Sequence, residues 1–97
     1  MARLFANEAT ADIFNGVDSK KARKALPQEL IRLARRKLVT VFSAPTVDSL
    51  RSPPGNGLEA LSGDREGQHS IRINDQYRIC FTMTATGAID VEIVDYH

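Results

Sequence analysis

The sequence predicts an α+β fold, with N-terminal helices packed on an antiparallel β-sheet in a single domain spanning residues 1–97. Three observations lead there. Apolar residues recur at helical spacing up to Phe42. They alternate with period two from Leu58 onward. The Pro- and Gly-rich residues 43–57 separate the two regimes. At 97 residues, 42% hydrophobic and without Trp, the chain has a small core for Leu, Ile, Val and four Phe to fill.

In chain order, Arg3-Leu4-Phe5 reads as a short first strand. Asn7 caps a helix over residues 8–14, whose positive end Glu8 favours; Ala9, Ile13 and Phe14 share one face, and Asn15-Gly16 ends it. Asp18 and Ser19 cap a second helical segment over residues 20–25, and Pro27 then requires either a break or a kink at Leu26. The main helix is expected from about Pro27 to Phe42. Its stripe is Leu30, Ala34, Leu38 and Val41, widened by Ile31 and Phe42. One helical turn capped by Thr46 is expected in the loop that follows.

Residues 58–61 form an imperfect strand and residues 62–67 a turn. Ile71 and Ile73 then oppose Ser70, Arg72 and Asn74, and Asn74-Asp75-Gln76 turns the chain. Tyr77, Ile79 and Phe81 oppose Arg78, Cys80 and Thr82. After a turn at residues 84–87, Ile89, Val91 and Ile93 oppose Asp90, Glu92 and Val94. Cys80 is expected to pack as a small hydrophobe.

The net charge of +1 conceals a segregation. Lys20, Lys21, Arg23, Lys24, Arg32, Arg35, Arg36 and Lys37 crowd one segment with Glu29 as its only acid, while residues 58–97 are acidic. Either a solvated helical face or a surface for an anionic partner follows. A single cysteine excludes an internal disulfide and argues against a cysteine-based zinc site. Met-Ala-Arg-Leu-Phe-Ala has no long apolar run, so no signal peptide is expected. No apolar stretch is long enough to cross a membrane, and a cytoplasmic location is the expectation.

No phosphate-cradling glycine motif is present, and His69 and His97 lack metal-ligand spacing, so a metal site is not expected. Ser70, His97 and Asp95 lack the nucleophile elbow that would make them a hydrolytic triad. Arg72, Arg78, Glu59, Tyr96 and His97 remain. They suit metal-free RNA cleavage, in which a base takes the ribose 2′ proton, cations stabilise the phosphorane and an acid protonates the leaving 5′ oxygen. The plain structural alternative for Arg78 is a cross-strand pair with Asp90 or Glu92. These residues alone reach no further than a small α+β domain, with nucleic acid as one candidate target.

Gly63-Asp64-Arg65-Glu66-Gly67, Tyr77-Arg78 and the closing Asp95-Tyr96-His97 together resemble the HigB-type toxins of the RelE/ParE superfamily. Leu50-Arg-Ser-Pro-Pro-Gly-Asn-Gly-Leu-Glu-Ala-Leu-Ser-Gly63 resembles their GraT-like branch. The resemblance implies helices on a curved antiparallel sheet. It also implies a type II toxin that cuts translated mRNA in the ribosomal A site without a cofactor. The implied partner is a HigA-like helix-turn-helix antitoxin, with operator DNA bound only through that complex. Arg78 matches the family's phosphate-stabilising arginine, and Asp95, Tyr96 and His97 match its terminal triplet. Arg72 and Arg65 are further RNA- or phosphate-binding candidates. So is Asn74, which aligns with a sheet arginine of some members. The basic segment from Lys20 to Lys37 is the expected ribosome contact. Glu59 and Ser62 stand where many members have His and Lys, which implies a weak or altered nuclease and leaves the base open, with the Glu59 carboxylate a candidate for it. The alternatives are a ParE-like gyrase inhibitor without enzymatic activity, or an interaction module that keeps only the antitoxin interface.

Overall fold

The computed structural model describes residues 3–96. Helices α1 (Glu8–Asn15), α2 (Lys20–Ala25) and α3 (Ile31–Ser43) precede strands β1 (Glu59–Ala60), β2 (His69–Arg72), β3 (Tyr77–Thr84) and β4 (Gly87–Asp95). The strands form one antiparallel meander in the order β1-β2-β3-β4. The α+β expectation holds.

Local chemistry sets the helix ends. Asn7 accepts a hydrogen bond from the Thr10 amide, and Gly16, at φ 75°, closes α1 in the left-handed region. Ser19 accepts from the Ala22 amide. At Leu26 the chain breaks rather than kinks. The residue is extended, as the Pro27 ring requires, and its side chain is buried. The main helix begins later than expected, because Gln28–Leu30 form a 3-10 turn. Ala34, Leu38 and Val41 are fully buried, with Leu30, Ile31 and Phe42 packed at the margin. The Thr46 hydroxyl accepts from the Ser49 amide and supports a 3-10 turn at Asp48–Arg51.

The helices cover one face of the sheet, where Ile71, Ile73, Tyr77, Ile79, Phe81, Val91 and Ile93 join the α3 stripe in the core. One expected face is corrected in β4. The register slips between Cys80 and Thr82, and Asp90 adopts φ 52°. This bulge breaks the alternation, so Ala88 rather than Ile89 faces the core beside Val91 and Ile93. Residues 58–61 likewise give only the two-residue β1.

The outer edge of β4 is closed by the N-terminal segment. Arg3-Leu4-Phe5 makes a parallel bridge, Phe5 to Val91, rather than a full strand. The Leu4 carbonyl accepts from the Val91 amide at 2.9 Å. Phe5 also completes an aromatic cluster with Phe14 and Phe42, with ring centroids 5.3–5.6 Å apart. Farther along the edge, the buried Thr10 hydroxyl accepts from the Ile93 amide at 3.1 Å. That bond satisfies a donor that would otherwise be sealed under α1. Thr10→Val is therefore expected to cost about 1–3 kcal/mol, the penalty for an unpartnered buried amide. Urea denaturation checks this, and an unchanged midpoint would mean that the edge opens to water.

Candidate functional site

The site lies on the sheet face away from the helices. Side chains paired across strands share a face. The register therefore sets Glu59, Ser70, Cys80 and Glu92 in one row and Arg72, Arg78 and Val94 in the next.

Arg78 is the centre, with only 8% of its surface exposed. Its Nε donates to the Ser70 hydroxyl at 2.8 Å. Its Nη2 donates to the Gly57 carbonyl and, at 3.5 Å, to the Ser70 carbonyl. Nη1 lies 3.7 Å from Glu59 Oε1. The guanidinium also sits 5.7 Å from the centre of the Tyr96 ring, a cation–π placement. Neither Asp90 nor Glu92 takes Arg78. Arg3 pairs with Asp90 at 2.9 Å and Arg65 with Glu92 at 3.0 Å.

Tyr96 is half exposed and is tethered through its amide, which donates to the Gln76 carbonyl at 2.7 Å. A cleft of about 330 Å³ opens beside it, with Glu59, Ser62, Asp64 and Arg65 among its walls. The Glu59 side chain is 58% exposed, so it can move toward a ligand. Cys80 is fully buried beneath these groups, as expected of a small hydrophobe. Burial pushes its thiol pKa up, against the pull of Arg65.

Other predicted residues take different places. Arg72 is exposed beside Arg78 and pairs with Asp75. Arg65 bridges Gln68 and Glu92, which ties its turn to β4. Asn74 spends its side-chain oxygen on the Gln76 and Tyr77 amides, so it closes the β2–β3 turn. Asp95 is opposite Tyr77 in register, on the other face from Arg78, and its carboxylate accepts from Gln76. His97 lies outside the described residues. Among the described residues no three His, Cys, Asp or Glu side chains converge, so the groups at hand are guanidinium, carboxylate and phenol.

Three residues that sequence reasoning left out of the site complete it: Ser70, Asn56 and Gly57. Alternation put Ser70 on the face of Arg72, and the strand pairing adds that it lies opposite Cys80, next to Arg78. Gly57, at φ 55°, lies between Arg72 and Arg78; a Cβ there would lie 3.6–3.7 Å from both side chains, in ordinary contact. Asn56 is 1% exposed beneath it. The dipeptide Asn56-Gly57 signals a turn, but nothing in it signals burial against an arginine.

The basic segment divides. Lys21 pairs with Glu8 at 2.6 Å and Arg23 with Asp18 at 2.9 Å, both at the surface, where such pairs contribute little. Lys37 turns inward to donate to Asn56 Oδ1 at 2.7 Å. Lys20, Lys24, Arg32, Arg35 and Arg36 are exposed. The three arginines rim a groove of about 800 Å³ whose floor includes Phe14, Ile31 and Val39. It lies on α3, across the sheet from Arg78.

The four-stranded antiparallel meander with helices on one face is consistent with a RelE-like toxin fold. Residues 5–97 match the family described as RelE-like toxin of type II toxin-antitoxin system HigB. Toxin HigB-1 of Vibrio cholerae is 38% identical over 64 residues, covering 66% of this chain and 67% of that protein. An uncharacterized protein of Haemophilus influenzae is 38% identical over 56 residues, covering 58% of this chain and 55% of that protein. The chain belongs to the HigB-like family and is a toxin of a type II toxin–antitoxin system, with an antitoxin as its implied partner. None of the helices among its described residues is long and apolar enough to cross a membrane.

Proposed function

We propose that this toxin is an endoribonuclease that cuts ribosome-bound mRNA in the cytoplasm. The observation that carries the reading is the recessed Arg78, with Nε and Nη2 held by neutral acceptors and Nη1 left beside Glu59. A fixed cation in a water-poor recess is suited to stabilise charge that develops on a phosphate. In this reaction Glu59 takes the 2′ proton, and the 2′ oxygen bonds to phosphorus. The bond to the 5′ oxygen breaks, and Tyr96 or His97 supplies that oxygen's proton. The products are a 2′,3′-cyclic phosphate and a 5′-hydroxyl. Tyr96 offers a ring to stack on a base at the cleft, and Arg72 extends the cationic surface toward a neighbouring phosphate.

Exposed cations on α2 and α3 would hold the ribosome by pairing with its phosphates. A HigA-like antitoxin would neutralise the toxin, and only that complex would reach operator DNA. The gyrase-inhibitor alternative gives no use to an arginine recessed beside a carboxylate. Induced expression, followed by mapping of mRNA 5′ ends, tests the reading. New ends in phase with codons are expected from the full chain and not from a chain lacking Tyr96-His97. Growth arrest with intact mRNA and accumulated gyrase–DNA breaks would overturn it.

A further inference from the structure

Lys37 belongs to the basic segment by sequence, yet it is partly buried and its ammonium is engaged within the protein. It donates at 2.7 Å to Oδ1 of Asn56, which is 1% exposed. The Asn56 amide nitrogen donates to the Leu50 carbonyl at 3.2 Å and the Ser52 carbonyl at 3.3 Å. With Oδ1 taken by Lys37 and both Nδ2 hydrogens used, the side chain is locked in one orientation. The backbone is locked too. The Asn56 amide donates to the Pro53 carbonyl at 3.0 Å and the Gly57 amide to the Pro54 carbonyl at 3.1 Å. The next group along the chain is the Gly57 carbonyl, which receives Arg78 Nη2. A continuous path through these bonds and the intervening backbone therefore leads from α3 to the guanidinium.

We infer that Lys37 is a positioning residue for Arg78, acting through Asn56 and the Gly57 carbonyl; this rests on the nuclease reading above. Without Lys37, the buried Asn56 oxygen loses its partner. A buried polar atom without a partner is costly, so the loop rearranges to satisfy it. The Gly57 carbonyl moves with the loop. Arg78 then keeps its Ser70 bond but loses the second anchor that fixes its rotation, and Nη1 no longer meets the phosphate in one place. Rates are sensitive to such displacements, because a misplacement of about 1 Å at a reacting centre costs on the order of 100-fold.

The test is Lys37→Met, which keeps the aliphatic stem and removes the donor. Single-turnover cleavage on ribosomes carrying mRNA is measured at saturating toxin. A loss of about 10- to 100-fold is expected, with ribosome affinity and its salt dependence unchanged. In an Arg78→Ala background, Lys37→Met is expected to have no further effect, since the two act as one unit. A ribosome-binding role predicts the opposite: weaker binding, a shallower salt dependence and an additive loss, and that outcome overturns the inference. A second readout does not depend on cleavage. The Arg78 Nη2–H resonance, bonded to the Gly57 carbonyl, should shift and exchange faster in Lys37→Met while the amide signals of α1 and α2 stay in place. If the wild-type chain cuts no mRNA, the nuclease reading fails, and this resonance still decides whether Lys37 orders Arg78. An unmoved resonance means that it does not.

Discussion

Arg78→Ala is expected to slow cleavage of ribosome-bound mRNA by about 10²–10³-fold, the range for removing a preorganised donor that faces transition-state charge. The effect is large because the guanidinium is recessed, and charge interactions strengthen where water is scarce. Arg78→Lys should recover little of it. An ammonium lacks the planar fork needed to reach the Ser70 hydroxyl, the Gly57 carbonyl and a phosphate together. Arg78→Ala also removes the partner of the fully buried Ser70 hydroxyl, so some stability is lost with it. The thermal midpoint is therefore measured beside the rate. Glu59→Gln gives the contrast. Its side chain is 58% exposed, so the fold should be unaffected, while loss of a general base slows the step by about 10²–10⁴-fold. A folded Arg78→Ala chain that cut at the wild-type rate would remove Arg78 from the chemistry. Glu59→Gln at the wild-type rate would leave the base to another group.

The second large effect is expected at the groove on α3. Reversing Arg32, Arg35 and Arg36 to Glu should abolish ribosome association near physiological salt. The dependence of log affinity on log salt should become shallower by about 0.7–0.9 for each phosphate no longer neutralised. All three side chains are exposed, so the fold should survive. A small cost arises at Arg35, whose guanidinium packs against Gly16, the C-cap of α1. A carboxylate there meets the negative end of that helix and costs about 0.3–1 kcal/mol. Sedimentation with ribosomes across a salt series measures the binding, and circular dichroism confirms the helices. Unchanged affinity at low salt would assign these arginines elsewhere. The apolar floor of the groove would then point to a protein helix, and the antitoxin is the partner already implied.

Sequence and structure agree best where local chemistry decides. Asn7, Ser19 and Gly16 mark helix ends through bonds made within three residues or through a backbone angle that glycine tolerates. The α3 stripe and the Tyr77, Ile79, Phe81 face follow from periodicity alone, because a side chain's direction is fixed by its place in the repeat. Periodicity misplaces Ile89 for the same reason. One extra residue in the strand shifts the alternation on one side of it, and no residue type announces the bulge at Asp90. The N-terminal bridge and the two-residue β1 are shorter than periodicity suggests, because strand length depends on partners distant in the chain.

The site divides along the same line. The sequence by itself determined the α+β order, the basic segment, and Arg78 on a polar strand face, since these depend on spacing and residue type. Only the tertiary structure decided which cations are committed and which are open. It turned Lys37 inward, gave Asn74 to a turn and set Asp95 across the sheet from Arg78. It also brought Ser70 and the Gly57 carbonyl to the guanidinium from 8 and 21 residues away. A hydrogen bond needs a partner at a set distance and angle, and for groups so far apart in sequence only the packed chain supplies it.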